Sequence, residues 1–267
     1  MKLKFSVIIG VTAYHAGDIA LWNQKNTHVK WRLGSRRPAS WLGLLSLAFT
    51  VLLSTSLNVR STMHVDLSLV LALDVSASVD AREFDLQKNG LAAAITHPSV
   101  IEAIGVGRNK RIAVTVVQWS GHQKQFVVVP WHIVDGSSSA TVFAQKLFDM
   151  SRVTLNGFTH IGGAIRYSVR LARSAEFTAD RMVIDISGDG TNNVLPRPAG
   201  ERDRAVRAGF TVNGLAIVNE ASDLDQYYRR NVIGGPGSFV IVAQSYDDYA
   251  KAMIRKLIRE ITDQQVS

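Results

Sequence analysis

From Val65 onward the chain alternates short apolar runs with longer amphipathic stretches, and no other feature restricts its fold as much. The apolar runs lie at 67–73, 111–119, 125–129, 182–186, 210–217 and 238–242. Between and beyond them, helical spacing of apolar residues covers 81–96, 140–150, 161–175, 200–208, 223–231 and 246–262. The runs LSLVLAL and RMVIDI are apolar at nearly every position, as strands covered on both faces must be. Strand alternating with helix predicts an α/β fold: a doubly wound, mainly parallel six-stranded sheet with helices on both faces. One pair departs from the alternation, because 120–124 is too short to hold a crossover helix. The strands it joins are expected to form a hairpin, leaving one antiparallel strand at the sheet edge. Asp80 followed by Glu83 has capping-box spacing at the start of the first helix.

The segment before this pattern is different in kind. Residues 1–37 are a basic region, and no charged residue occurs from Pro38 to Val59. Within that uncharged stretch, 41–53 reads WLGLLSLAFTVLL, just after Lys30, Arg32, Arg36 and Arg37. A basic flank followed by an apolar run is the layout of an export signal, so 38–59 is expected to be a signal peptide core or a retained membrane anchor. Residues 60–267 then form the exported domain, and membrane contact is expected only through the N-terminal segment. Because 29–56 alone has the full layout of a signal peptide, translation is expected to begin at Val29.

Charge and cysteine content exclude some functions. The formal net charge of +8 suggests nucleic acid until it is mapped along the chain. Residues 1–57 hold seven bases and one acid, while the remainder holds 23 bases and 21 acids with no like-charged run that could track a phosphate backbone. Nucleic acid is therefore not an expected partner. The absence of cysteine removes disulfides, thiolate metal sites and cysteine nucleophiles together.

Three loops carry oxygen side chains to one edge of such a sheet. The first strand ends in Asp74-Val75-Ser76-Ala77-Ser78, whose three oxygen side chains at alternate positions can converge where the carboxyl edge opens. Thr159 stands just before the helix at 161–175, and Asp189 follows the strand RMVIDI. Taken singly, these residues also suit ordinary caps and turns. Taken together, they are five oxygens of the type a hard cation such as Mg²⁺ prefers.

The DxSxS turn, the Thr ahead of an Ile-Gly helix start and the Asp-Gly after the next strand resemble the metal-ion-dependent adhesion site of von Willebrand factor A domains. The likeness covers about residues 65–262. It implies metal ligation by Asp74, Ser76, Ser78, Thr159 and Asp189, with Mg²⁺ or Mn²⁺ as the cation. Gly188 departs from the family, where Thr often precedes the Asp. The segments ALDVSASVD, VVVPWHIVD and DISGDGTNN more closely resemble a group of exported bacterial proteins of this fold, which has no established activity to carry over. Placement in the periplasm, or anchored in the inner membrane with the domain outside the cytoplasm, is the corresponding expectation.

Two carboxylates and three neutral hydroxyls undercompensate a divalent cation, so an acidic residue of a protein partner would complete its shell. The expected function is thus a cation-dependent adhesion or scaffold module rather than an enzyme. A metal-dependent phosphohydrolase is the first alternative, but Ser76 stands where its second carboxylate would be needed. A subunit of an ATPase-linked assembly is the other; this chain has no Walker A motif, so nucleotide chemistry would belong to its partner. Asp185 is expected to be a buried partner for a donor, and His160 a solvent-facing residue of a first helical turn. Asn192 and Asn193 suit either water orientation or their own backbone. Trp119, Trp131 and His132 suit aromatic packing before a recognition edge, and Arg202, Arg204 and Arg207 could steer an acidic partner, though helical surface charge accounts for them without it.

Overall fold

The computed structural model describes residues 62–153, 157–219 and 221–262. The basic region, the apolar segment and the proposed start at Val29 lie outside the described residues. The strands are β1 (His64–Asp74), β2 (Ile112–Trp119), β3 (Gln125–Val134), β4 (Thr178–Gly188), β5 (Phe210–Ile217) and β6 (Val240–Ala243). The helices are α1 (Ala81–Ile95), α2 (Pro98–Val106), α3 (Ser137–Asp149), α4 (Ile161–Arg173), α5 (Pro198–Arg207), α6 (Leu224–Asn231) and α7 (Tyr249–Thr262).

Six strands pair in the order β3-β2-β1-β4-β5-β6. Every neighbouring pair is parallel except β2 with β3, which form the expected edge hairpin. The chain runs outward from β1 in one direction through β2 and β3, then returns to its other side with β4. That reversal leaves a crevice at the carboxyl ends of β1 and β4, where doubly wound sheets place their ligands.

Side-chain alternation along β1 supplies both faces. Leu67, Leu69, Leu71 and Leu73 pack with α1, α2, α3 and α7, while Ala72 belongs to a second core with Ile184, Ile186 and Val212 beneath α4, α5 and α6. Asp80 and Glu83 form the capping box, each side chain accepting from the other's backbone N–H at 2.8 Å.

The structure adds α2, PSVIEAIGV, which buries Val100, Ala103 and Ile104 and begins with Pro98 at its first helical turn. It also carries β3 past Pro130 to Val134, which an edge strand allows. The stretch expected to be one helix over 246–262 is a 3-10 turn, Tyr246–Asp248, followed by α7.

A buried ion cluster ties β4 to α7. Lys256 Nζ lies 3.0 Å from Asp185 Oδ1 and 2.6 Å from Glu260 Oε1, and all three side chains are almost wholly buried. Asn213 on β5 donates to Glu260 Oε1 at 3.0 Å. Burial and the neighbouring Glu260 raise the Asp185 carboxyl, and Lys256 opposes the shift. Asp185 is thus a buried partner for a donor, as its position in the strand suggested.

Candidate metal centre

Asp74 is the last residue of β1 and wholly buried. Its Oδ1 accepts from the Ser76 N–H at 2.8 Å, a short-range bond that turns the chain out of the strand. Its backbone carbonyl accepts from Gln87 of α1 at 3.2 Å. Arg152 donates to the carbonyls of Val75 at 3.1 Å and Ser76 at 2.8 Å, so the turn is held from outside as well. The Ser76 and Ser78 hydroxyl oxygens are 3.4 Å apart, and Ser78 donates to Asp189 Oδ1 at 2.8 Å. Tyr246 donates to the other oxygen, Asp189 Oδ2, at 3.1 Å.

Thr159 does not cap α4. The capping position is His160, and no side chain accepts a cap hydrogen bond there, which leaves the Thr159 hydroxyl available. Thr159 is held instead by Asn193, whose Oδ1 accepts from the Thr159 N–H at 2.9 Å and whose N–H donates to the Thr159 carbonyl at 3.0 Å. Asn192 Oδ1 accepts from the Gly162 N–H at 3.3 Å. Both asparagines therefore stitch the third loop to the second, and Asn192 also donates to the Val194 carbonyl, the local backbone bond expected of it. A Cβ placed on Gly190 would lie 3.4 Å from Thr159 Oγ1, so the Thr hydroxyl faces the Asp189-Gly190 turn. Thr159, Ser78 and Asn193 line one cleft of about 340 Å³, with Phe158 on its rim at 65% exposure.

Of the residues singled out in the sequence, Asp74, Ser76, Ser78 and Asp189 are thus linked at the carboxyl edge of β1 and β4, and the Thr159 hydroxyl faces the turn that follows Asp189. Two features favour a cation among them. Asp74 Oδ2 has no hydrogen-bond partner among the described residues, an expensive condition for a buried polar atom. Burial and the Asp189 carboxylate also push the Asp74 carboxyl up to about 8, although the Ser76 bonds and Arg152 pull the other way. A divalent cation would give Oδ2 a partner and offset the repulsion between the two acids, so the donor set fits a hard, oxygen-seeking ion. Among the described residues no three carboxylate or imidazole groups gather at one point, so such a centre depends on its hydroxyls.

Gly188 sits where the structure leaves no room for a side chain. A Cβ there would lie 2.8 Å from Asp74 Oδ2 and 2.9 Å from the Tyr228 hydroxyl, too close for any side chain without displacement. Burial pushes the Tyr228 hydroxyl well above its usual range, and the Asp74 and Asp189 carboxylates push it further. It therefore remains a protonated phenol beside Asp74.

His160 corrects an expectation: it is 3% exposed rather than solvent-facing. It stacks on His122 with ring centroids 5.7 Å apart, and burial holds its pKa below the usual value. Trp119 is wholly buried, Trp131 meets Phe177 edge to face at 5.0 Å, and His132 stacks on Phe143 at 5.6 Å, all packing roles. Arg202 donates to the Ile233 carbonyl at 2.6 Å and pairs with Asp203. Sequence reasoning missed Arg152, Tyr228, Tyr246 and Phe158. Phe158, between Gly157 and Thr159, is the one whose position beside a proposed ligand could have drawn notice.

The sheet order and the three converging loops define a von Willebrand factor A-type α/β domain. Solved structures of that fold resemble it. Proximal thread matrix protein 1 from the mussel byssus matches at 17% identity and TM-score 0.55, over 75% of this chain and 49% of that one. Another structure of the mussel protein, "with zinc occupied MIDAS motif", matches at 17% identity and TM-score 0.52, with the same coverage of both chains. The pilus adhesin SpaC from Lactobacillus rhamnosus GG matches at 14% identity and TM-score 0.55, over 74% of this chain and 31% of that one. The vWF domain of the type V pili tip protein Mfa5 from Porphyromonas gingivalis matches at 11% identity and TM-score 0.52, over 75% and 96%. The chain thus spans about half the length of the mussel protein and a third of the adhesin. No curated protein matches the sequence. The chain belongs to the family described as "Protein of unknown function (DUF1194)", which matches residues 64–265.

Proposed function

We propose that this domain is a divalent-cation-dependent protein-binding module of the adhesion or scaffold type, exported from the cytoplasm. The observation that carries the reading is the wholly buried Asp74 carboxyl, whose Oδ2 has no donor among the described residues while Asp189, Ser76 and Ser78 stand close by in one linked set. Asp74, Ser76, Ser78, Thr159 and Asp189 would hold Mg²⁺ or Mn²⁺. A hard cation bound there supplies an electrophilic centre for an oxygen ligand. With two protein carboxylates, the acidic side chain of a protein partner is the natural completion. Exposed Phe158 on the cleft rim offers that partner an apolar anchor.

The adhesin and pilus-tip neighbours lend support at the level of fold, and the zinc-occupied mussel structure lends support for a divalent ion. A binding role suits the donor set better than hydrolysis, because Ser76 is 1% exposed and brings a hydroxyl where a general acid would be needed. Export rests on the apolar segment at 38–59. Among the described residues no helix is long and apolar enough to cross a membrane.

The test is titration calorimetry of the purified full chain with Mg²⁺ and Mn²⁺, beside pull-down from membrane and periplasmic fractions with and without a chelator. Binding of either ion at millimolar concentration and chelator-sensitive capture are expected. Absence of both heat and thermal shift would overturn the reading.

A further inference from the structure

The strongest concentration of unspent charge lies away from the proposed cation site, between α4 and α5. A groove of about 460 Å³ there is lined by Arg166, Arg170, Arg173, Arg204, Arg207 and Glu201. Five guanidiniums against one carboxylate give it a net charge of +4, whereas residues 58–267 as a whole carry 23 bases against 21 acids. The positive charge of the domain is therefore focused on this groove rather than spread over its surface.

The arginines fall into two groups. Glu201, 3% exposed, accepts from Arg166 Nε at 3.0 Å and Arg204 Nε at 3.0 Å, and also from the Nη2 of each. This carboxylate fixes both guanidinium planes along the groove and leaves the Nη1 of each free among the described residues. Burial alone would raise Glu201, but Arg204 and Arg166 hold its pKa below the usual range, so it stays ionised. Arg170, Arg173 and Arg207 are exposed and have no carboxylate within ion-pair distance among the described residues.

Spacing and lining select the ligand. Arg166, Arg170 and Arg173 sit on successive turns of α4, so their charges repeat about every 4.5–6 Å along roughly 10 Å of helix. Alternate side chains of an extended peptide repeat about every 6.6 Å, longer than that row by an amount the long arginine side chains can span. Val169, Ala205 and Ala208 give the groove an apolar floor between the charges. No aromatic ring lines it, so bases of a single-stranded nucleic acid would have nothing to stack on. Charges spread in a row, rather than converging on a point, also disfavour a lone phosphate.

We infer that the α4–α5 groove binds an extended acidic segment of a protein partner, with carboxylates at alternate positions facing the arginines and small aliphatic side chains on the floor. Arginine forks suit carboxylates bidentately. The groove needs no cation, so this inference stands or falls separately from the metal centre.

The experiment measures fluorescence anisotropy of a labelled ten-residue peptide of alternating Glu and Val against the full chain, with chelator present to silence the metal centre. Salt-sensitive binding is expected, with at least a tenfold loss in Arg170→Glu/Arg207→Glu. A control pair of equal charge change on the opposite face, Arg82→Glu/Lys251→Glu, should stay within threefold. The neutral pair Arg170→Gln/Arg207→Gln, checked by circular dichroism, should lose three- to tenfold and guards against misfolding of the reversal. No loss in either groove pair, or equal loss in the control, would overturn the inference. So would tighter binding of inorganic pyrophosphate or a ten-residue oligothymidylate than of the peptide.

Discussion

Gly188 and Asp74 share one small volume: a Cβ on the glycine would stand 2.8 Å from the carboxylate oxygen that has no donor. The register of β1 against β4 brings this about, since Leu73 lies opposite Ser187 and the next step sets Asp74 beside Gly188. The Tyr228 hydroxyl takes the remaining room, 2.9 Å from the same point.

Gly188→Ala should therefore disturb the proposed site without replacing any ligand residue. Overpacking of this kind costs about 1–3 kcal/mol, and the displaced carboxylate should bind cation at least tenfold more weakly. Adding Tyr228→Phe removes the second obstruction and should restore part of the stability. Urea unfolding beside calorimetry measures both quantities, and an unperturbed Gly188→Ala would refute the close approach.

Asp74→Ala should abolish cation binding and partner capture while the domain stays folded. It removes a ligand and the repulsion with Asp189, at the cost of the bonds with Ser76 and the attraction of Arg152. Leu71→Asp should lose fold and binding together, because an unpaired charge at that wholly buried position costs about 3 kcal/mol or more against a total stability of about 5–15. Circular dichroism and chelator-sensitive pull-down separate the two variants.

Cation affinity should depend on pH through Asp74. With the carboxyl pushed up to about 8 by burial and Asp189, the folded protein holds a proton that the unfolded chain releases near its ordinary value of about 4. This group alone makes the metal-free fold most stable below about pH 4 and progressively less so as pH rises to about 8. A cation must displace that proton, so affinity should rise through pH 6, 7 and 8 and level off above. Calorimetry in buffers of different ionisation enthalpy should also register proton release. Affinity unchanged between pH 6 and 8 would contradict the assignment of Asp74 as a ligand.

Lys256→Met should destabilise the domain and leave cation affinity within twofold. It strands the Asp185 and Glu260 carboxylates in the core, a loss of about 3–5 kcal/mol for a buried pair broken from one side. The combination Lys256→Met/Asp185→Asn/Glu260→Gln should recover much of it. Denaturant midpoints follow the first effect and metal titration the second.

The fold was legible because β1 and β4 are long enough to show continuous apolar runs, and because 120–124 leaves room only for a hairpin. Helix α2 was overlooked because its helical face, Val100, Ala103 and Ile104 against Ser99 and Glu102, spans only nine residues. Pro130 concealed the second half of β3, since proline normally argues against a strand and only the edge position admits it. The five proposed ligands were readable because each sits beside the end of an element whose topology was already expected. Tyr228 and Tyr246 were not, for they reach the site from segments far along the chain and carry no local spacing that points there. The arginines of α4 and α5 were each readable as a helix face, but only the packing of the two helices makes one groove of them.

The outer rim of β3 has a further consequence. Pro130 and Trp131 both lie across from Thr115 where the β2–β3 register slips, and Thr115 donates its hydroxyl to the Val129 carbonyl at 2.7 Å. A doubled position of this kind bends and over-twists its strand. A neighbouring molecule trying to extend the sheet along that rim would find an irregular template, with a residue in its middle that has no amide hydrogen. A sheet whose other border, β6, is only four residues long is thus guarded at both ends against growing into an open-ended ribbon when many copies are crowded on one surface.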